Sequence, residues 1–322
     1  MSVPVVIVAG IHAQARAEVV AELARRHPGS VTIRPGDPPV AAPLLIVELG
    51  DDDEPRPVAE ALAVRPELRL TGVLTALEAD HMPLDICRGD RLPCGRHVAA
   101  VLARQIEYAT GLVVVGDDPE LALPALAHLA PLTPIGLPDV LGPPIDVEAL
   151  AARVDPATAQ LPCALETQDF ETVVWRRVRP IHPQRLFDAV EELVATTVRS
   201  RGRFWLASRH SSLLAWDAVA GMVEVAEAGT WLAALPDSAW GQVGTARRAA
   251  AALDWTPTMG DRVQHLVFTG CGGLDPDRLI ALLDSCLLTP EESVAGAAVW
   301  ETYPDPFAEL TSSKVEVAEW GD

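Results

Sequence analysis

The stretch "VVIVAGIHAQARAEVV" sets a glycine between an apolar run and a helical pattern. A buried strand, a tight turn and a helix N-terminus facing a ligand is the arrangement that cradles a phosphate with backbone N–H groups. Such a loop also needs a second glycine, a lysine across the β- and γ-phosphates, and a hydroxyl on magnesium. Laid on G-x-x-x-x-G-K-[ST], Gly10 takes the first place, but Ala15, Arg16 and Ala17 take the other three. Ala15 adds a Cβ where the backbone must approach closely. Arg16 reaches a phosphate only with a longer, forked side chain, and Ala17 cannot ligate a metal. Glu48, or the acidic run at 51–54, is the candidate for holding magnesium, with solvated loop as the plainer reading. Lys314 is the only lysine and asparagine is absent. Neither a loop lysine nor an N-K-x-D base-reading motif therefore exists under any alignment. The parts of a phosphoryl-transfer site act as a unit, so Gly10, Arg16 and Glu48 read as scaffold, with weak nucleotide binding as the alternative.

His81, Cys87, Cys94 and His97 stand as H-x5-C-x6-C-x2-H, four side chains able to close a tetrahedral zinc site. The spacing lacks the paired knuckle of a structural site, and "CRGDRLPC" is loop-like, so free thiols and surface histidines are the plainer reading. Cys163, Cys271 and Cys286 read as buried or near-buried. There is no G-x-S-x-G, and "SRHSS" at 208–212 reads as turn chemistry rather than a hydrolase centre. Arginines crowd the stretch 176–210, interleaved with Trp175, Phe204 and Trp205. Arg179, His182, Arg185, Arg201, Arg203 and Arg209 are the candidate partner-binding set, for an acidic protein or an RNA phosphate strip. The competing reading pairs arginines with carboxylates and gives the aromatics to the core. Alternation in "GRFWLAS" sends Phe204 and Leu206 one way, Arg203 and Trp205 the other.

The elements that must hold these residues fall into two patterns. Strands at Val3–Ala9, 31–34, 44–49, 72–77 and 112–115 alternate with helices near 12–26, 56–64, 96–109 and 119–129. That alternation implies βαβ crossovers and a mainly parallel sheet over 1–137. Proline density makes 138–169 a linker with one short helix at Val147–Val154. Over 170–292 a strand, a helix opening at His182-Pro183, three consecutive strands, a further strand and a helix at 276–286 imply an α+β domain. Its sheet is antiparallel with helices on one face. Residues 293–322 read as a loosely attached acidic tail. With 322 residues, 49% hydrophobic and 22% charged, the chain suits two folded domains. A net charge of −20 opposes nucleic-acid binding through a uniformly basic surface. No run is long and apolar enough for a membrane span or a signal sequence, which gives a cytoplasmic expectation.

"WRRVRPIHPQRLFDAVEELV", "VRSRGRFWLASR", "AGTWLAALPDSAW", "GDRVQHLVFTG" and "LDPDRLIALLDSCLLTPEE" resemble, in order, the C-terminal domain of the CobW family of P-loop GTPases of metal homeostasis. "IVELGDDDEPRPVAEAL" and "VAAVLARQIEYATGLVVVG" resemble that family's G domain more weakly. "LRLTGVLTALEAD" and "LAARVDPATAQLPC" are similar to the branch of ribosome-hibernation-factor-recruiting GTPases, MRF. The resemblance implies a role in zinc homeostasis or zinc-responsive ribosome hibernation, with GTP, magnesium and zinc as the family's ligands. It implies a hibernation factor or ribosomal protein as partner. An active GTP-binding metallochaperone with non-standard motifs, and an RNA-binding or ribosome-binding module, are the alternatives. The chain departs from the family in its reduced G domain: the switch segment is missing and no C-x-C-C occurs.

Overall fold

The strand Val3–Ala9 (β1) is buried along nearly its whole length, as befits an all-apolar run in a parallel sheet covered on both faces. The computed structural model describes residues 2–158, 160–167 and 169–308, with the backbone of 315–316. The chain divides into two units at 154/155.

In the first unit β1 is followed by α1 (Ala13–Arg26), β2 (Val31–Ile33), β3 (Leu45–Glu48), α2 (Pro55–Ala63), β4 (Leu68–Glu78), α3 (Met82–Asp85), α4 (Val98–Glu107), β5 (Gly111–Val115), α5 (Leu123–Leu129) and α6 (Val147–Val154). The five strands run parallel in the order β2-β3-β1-β4-β5. The period of two splits β1 between two cores. Val5 and Ile7 join Leu45, Val47 and Ala59 of α2, while Val6 and Val8 join Leu44, Ile46 and Ala15, Val19 and Leu23 of α1. The proline-dense stretch is not a free spacer up to residue 154. Val140 is fully buried in one core and Leu150 in the other, and the Ile145 N–H donates to the Leu70 carbonyl.

The second unit holds β6 (Leu165–Glu166), β7 (Phe170–Arg177), α7 (Pro183–Ala195), β8 (Arg199–Phe204), β9 (Ser212–Val219), β10 (Met222–Thr230), α8 (Thr245–Asp254), β11 (Gln264–Cys271), α9 (Pro276–Ser285), α10 (Pro290–Ala295), α11 (Ala297–Trp300) and β12 (Val315–Glu316). All neighbours in the order β12-β10-β9-β8-β11-β7-β6 are antiparallel. Ala220 and Gly221, both at positive φ, make the two-residue turn between β9 and β10. Helices α7 and α9 share a core with Trp175, Phe204, Trp216 and Phe268. The other face is not bare, as the sequence implied. Trp205, Trp231 and Trp300 gather in a separate cluster, and Asp254 of α8 accepts from Arg176 and Arg203 of β7 and β8.

Two expectations fail here. The acidic tail does not hang loose through 293–308, because Trp300 and Phe307 are buried; 309–314, with Lys314, and 317–322 lie outside the described residues. Cys163 and Cys271 are exposed, and only Cys286 is buried, where desolvation pushes its thiol up to about 11. A thiol reagent at neutral pH is therefore expected to label Cys94 and Cys163 quickly and Cys286 only in denaturant, read by peptide mass.

Candidate functional site

Gly10 ends β1 at φ +150°, and a Cβ built there would stand 2.5 Å from the Ala76 carbonyl oxygen of β4. The close approach of the β1–α1 loop to its neighbouring strand thus demands glycine, whatever the loop binds. Arg16, one turn into α1, does not point to solvent. Its side chain is 6% exposed, Nη1 donates to the Gly10 carbonyl at 2.5 Å, and Nη2 meets Asp51 at 2.6 Å. Nε lies 3.8 Å from Glu48. The guanidinium curls back over its own loop and is held by two acids.

The acidic run after β3 is tied down by internal contacts, although Asp51 stays exposed. Asp53 accepts from the Gly50 N–H at 2.7 Å, and Gln105 of α4 donates to the Asp53 carbonyl. Glu54 takes the guanidiniums of Arg96 and Arg104. Burial pushes the Glu54 carboxyl up, but those two arginines outweigh it and hold it below the usual range. Gly10, Arg16 and Glu48 are thus brought together, as the loop pattern implied. What joins them is an internal ion pair, with Asp51 as the member that spacing did not single out.

The four-residue zinc set is not assembled. His97 Nδ1 sits 3.0 Å from the Gly89 carbonyl and His81 Nδ1 2.7 Å from Glu78, while Cys87 is half-buried and Cys94 exposed. Among the described residues the donors that do gather belong to His12, Glu78 and His81, within 4.8 Å of one another. His12 and Glu78 escaped notice because 66 residues separate them and their spacing carries no signal.

The arginine set resolves mostly into internal contacts. Arg203 is 5% exposed and paired with Asp254, which removes it from any partner surface. Arg179 donates to the Leu288 carbonyl, Arg185 to the Leu287 carbonyl and to Glu292, and Arg209 pairs with Asp305. His182 stacks on Tyr303, and burial together with Arg185 pushes its imidazole down. Arg201 lies half-buried on β8, on the sheet face away from Phe204. Trp175, Phe204 and Trp205 are all buried, as the core reading required.

Residues 170–287 match the family described as the cobalamin synthesis protein cobW C-terminal domain. The second unit carries a CobW C-terminal domain. The match covers β7 to α9, the sheet and the two helices of its main core. Over 251 residues the chain is 34% identical to a Mycobacterium tuberculosis protein named zinc chaperone Rv0106, covering 76% of this chain and 62% of that one. It is 27% identical over 140 residues to zinc-regulated GTPase metalloprotein activator 1 of Dictyostelium discoideum, covering 42% of this chain and 29% of that one. The chain therefore spans about three fifths of the mycobacterial relative's length. The zinc-bound YjiA GTPase from E. coli overlays 89% of this chain loosely, at 11% identity and a TM-score of 0.40. No described helix is long and apolar enough to cross a membrane.

Proposed function

We propose that this chain is a CobW-family member that serves zinc homeostasis as a recruitment factor, in the manner of the hibernation-factor-recruiting branch, without nucleotide chemistry of its own. The observation that carries the second half is the Arg16 guanidinium, buried and bound to Gly10, Asp51 and Glu48. The arginine in the place of the loop lysine is already paired with acids, and no hydroxyl follows it to hold magnesium. The zinc half is supported by what the mycobacterial and Dictyostelium relatives are named for. The recruitment half is supported by the intact second domain and by engagement of most of its arginines within the fold, which favours a protein partner over a phosphate backbone. The cytoplasm is where such a partner would be met.

Isothermal titration with GTP and magnesium is expected to show no binding in the micromolar range, and Arg16→Ala is expected not to create turnover. Micromolar binding by the unmodified chain would defeat this reading. Recruitment is tested by pull-down from zinc-limited cells, which is expected to bring down a ribosome-associated protein; recovery of none would remove that half.

A further inference from the structure

The loops after β1 and β4 leave the same edge of the sheet side by side. These strands are neighbours, yet the chain leaves β1 towards β2 on one side and β4 towards β5 on the other. In open parallel sheets that divergence at the carboxyl edge is where ligands are received. His12 follows β1; Glu78 ends β4 and His81 follows it. We propose that His12, Glu78 and His81 form a divalent-metal site, with zinc as its ion.

The geometry is close to a ligand set. His12 Nδ1 lies 3.5 Å from Glu78 Oε2. Two donors at zinc–ligand distances in a tetrahedron stand about 3.3 Å apart. His81 Nδ1 lies 2.7 Å from the same oxygen, a hydrogen bond that opens by about 0.6 Å to admit the ion. The orientation of His12 is fixed from behind. Its Nε2 is 2.7 Å from Asp85 of α3, and a carboxylate only accepts, so Nε2 carries a proton and Nδ1 is the nitrogen left to meet an ion on the Glu78 side. A carboxylate holding the far nitrogen of a ligating histidine is how metal sites set tautomer and ring direction.

Two histidines and one carboxylate leave a fourth position open to water or an incoming ligand. The side chains are reachable, at 30% exposed for His12, 28% for Glu78 and 57% for His81. An ion held there is exchangeable rather than structural. The choice of zinc rests on the zinc-homeostasis reading above; the site itself rests on its geometry.

The test is zinc titration of the full chain after chelation, by calorimetry, with cobalt absorption as a report on tetrahedral geometry. One equivalent is expected to bind. His12→Ala and His81→Ala are each expected to weaken it about 100-fold or more, and Asp85→Asn by about tenfold. Cys87→Ser/Cys94→Ser is expected to leave affinity unchanged. Far-UV circular dichroism checks that the variants fold, and Asp85→Asn, which touches no ion, serves where a histidine variant does not. Wild-type affinity in His12→Ala/His81→Ala overturns the proposal, as does loss of zinc in the cysteine variant instead, or no uptake at all. A chain that fails here yet captures its partner loses only this site; one that binds zinc but captures nothing loses only recruitment.

Discussion

A Gly10→Ala chain is expected to lose about 2–5 kcal/mol of stability in its first unit, with no nucleotide present. The Cβ would stand 2.5 Å from the Ala76 carbonyl oxygen and 3.2 Å from Arg16 Cγ, and φ at +150° strains any residue but glycine. Relief requires β1 and β4 to separate, and these strands pair from Val3 to Ala9 with one register shift between Val5 and Val6. The measurement is urea unfolding followed by far-UV circular dichroism. Tryptophan fluorescence cannot serve, because no tryptophan precedes Trp175 in the sequence. Unchanged apo stability would mean that the glycine serves a ligand rather than the sheet.

Asp254→Ala is expected to cost the second unit about 3–5 kcal/mol, the penalty for stripping the partner from buried charge. The carboxylate is 7% exposed and holds Arg176 at 2.7 Å and Arg203 at 2.5 Å. Between those arginines, in register across β7, β11 and β8, stands His265. Burial, with Arg203 beside it, pushes its imidazole down to about 4. Without Asp254 that row keeps two guanidiniums and no counter-charge from α8. Here tryptophan fluorescence is the proper probe, as a fall in urea midpoint.

The same row sets a pH dependence. His265 takes a proton more readily unfolded, near 6.5, than folded, near 4. Its contribution is therefore whole above about 6.5 and drains as pH falls towards 4. Burial pushes the Asp254 carboxyl up, yet Arg203 and Arg176 outweigh it and hold it below the ordinary range. Its share is present above the unfolded carboxylate value of about 3.9 and goes only as pH falls through the lower folded value. His265→Gln is expected to flatten the stability of the second unit between about pH 6.5 and 4. A curve unchanged by that substitution would move the acid sensitivity elsewhere.

Local pattern reached a good part of this fold. The bounds of β1 and α6 follow from the apolar runs, and the consecutive order of β8, β9 and β10 follows from their turns. Helix α8 gives a weak sequence signal because the inward side of "TARRAAAALD" buries only Ala251 and Asp254, and polar ties through Asp254 and Arg247 do the rest. Proline density hid the anchoring of Val140 and Leu150, and acidity hid that of Trp300 and Phe307. At the candidate site Gly10 is visible as the first glycine of a motif and Arg16 as a departure from it. Asp51 as the partner of Arg16, and Glu78 as the partner of His12, needed the sheet to bring distant residues together.

The Arg16–Asp51 pair can be seen as a receptor that carries its own ligand. A group tethered on the same chain acts at an effective concentration of about millimolar when the linker is short. Thirty-five residues separate the pair in sequence, but the parallel strands hold the acid at 2.6 Å, so it never diffuses away. A free anion entering the loop competes with a resident that is always present. Under the function proposed above, Asp51 itself keeps this loop closed to phosphate, with no second protein needed.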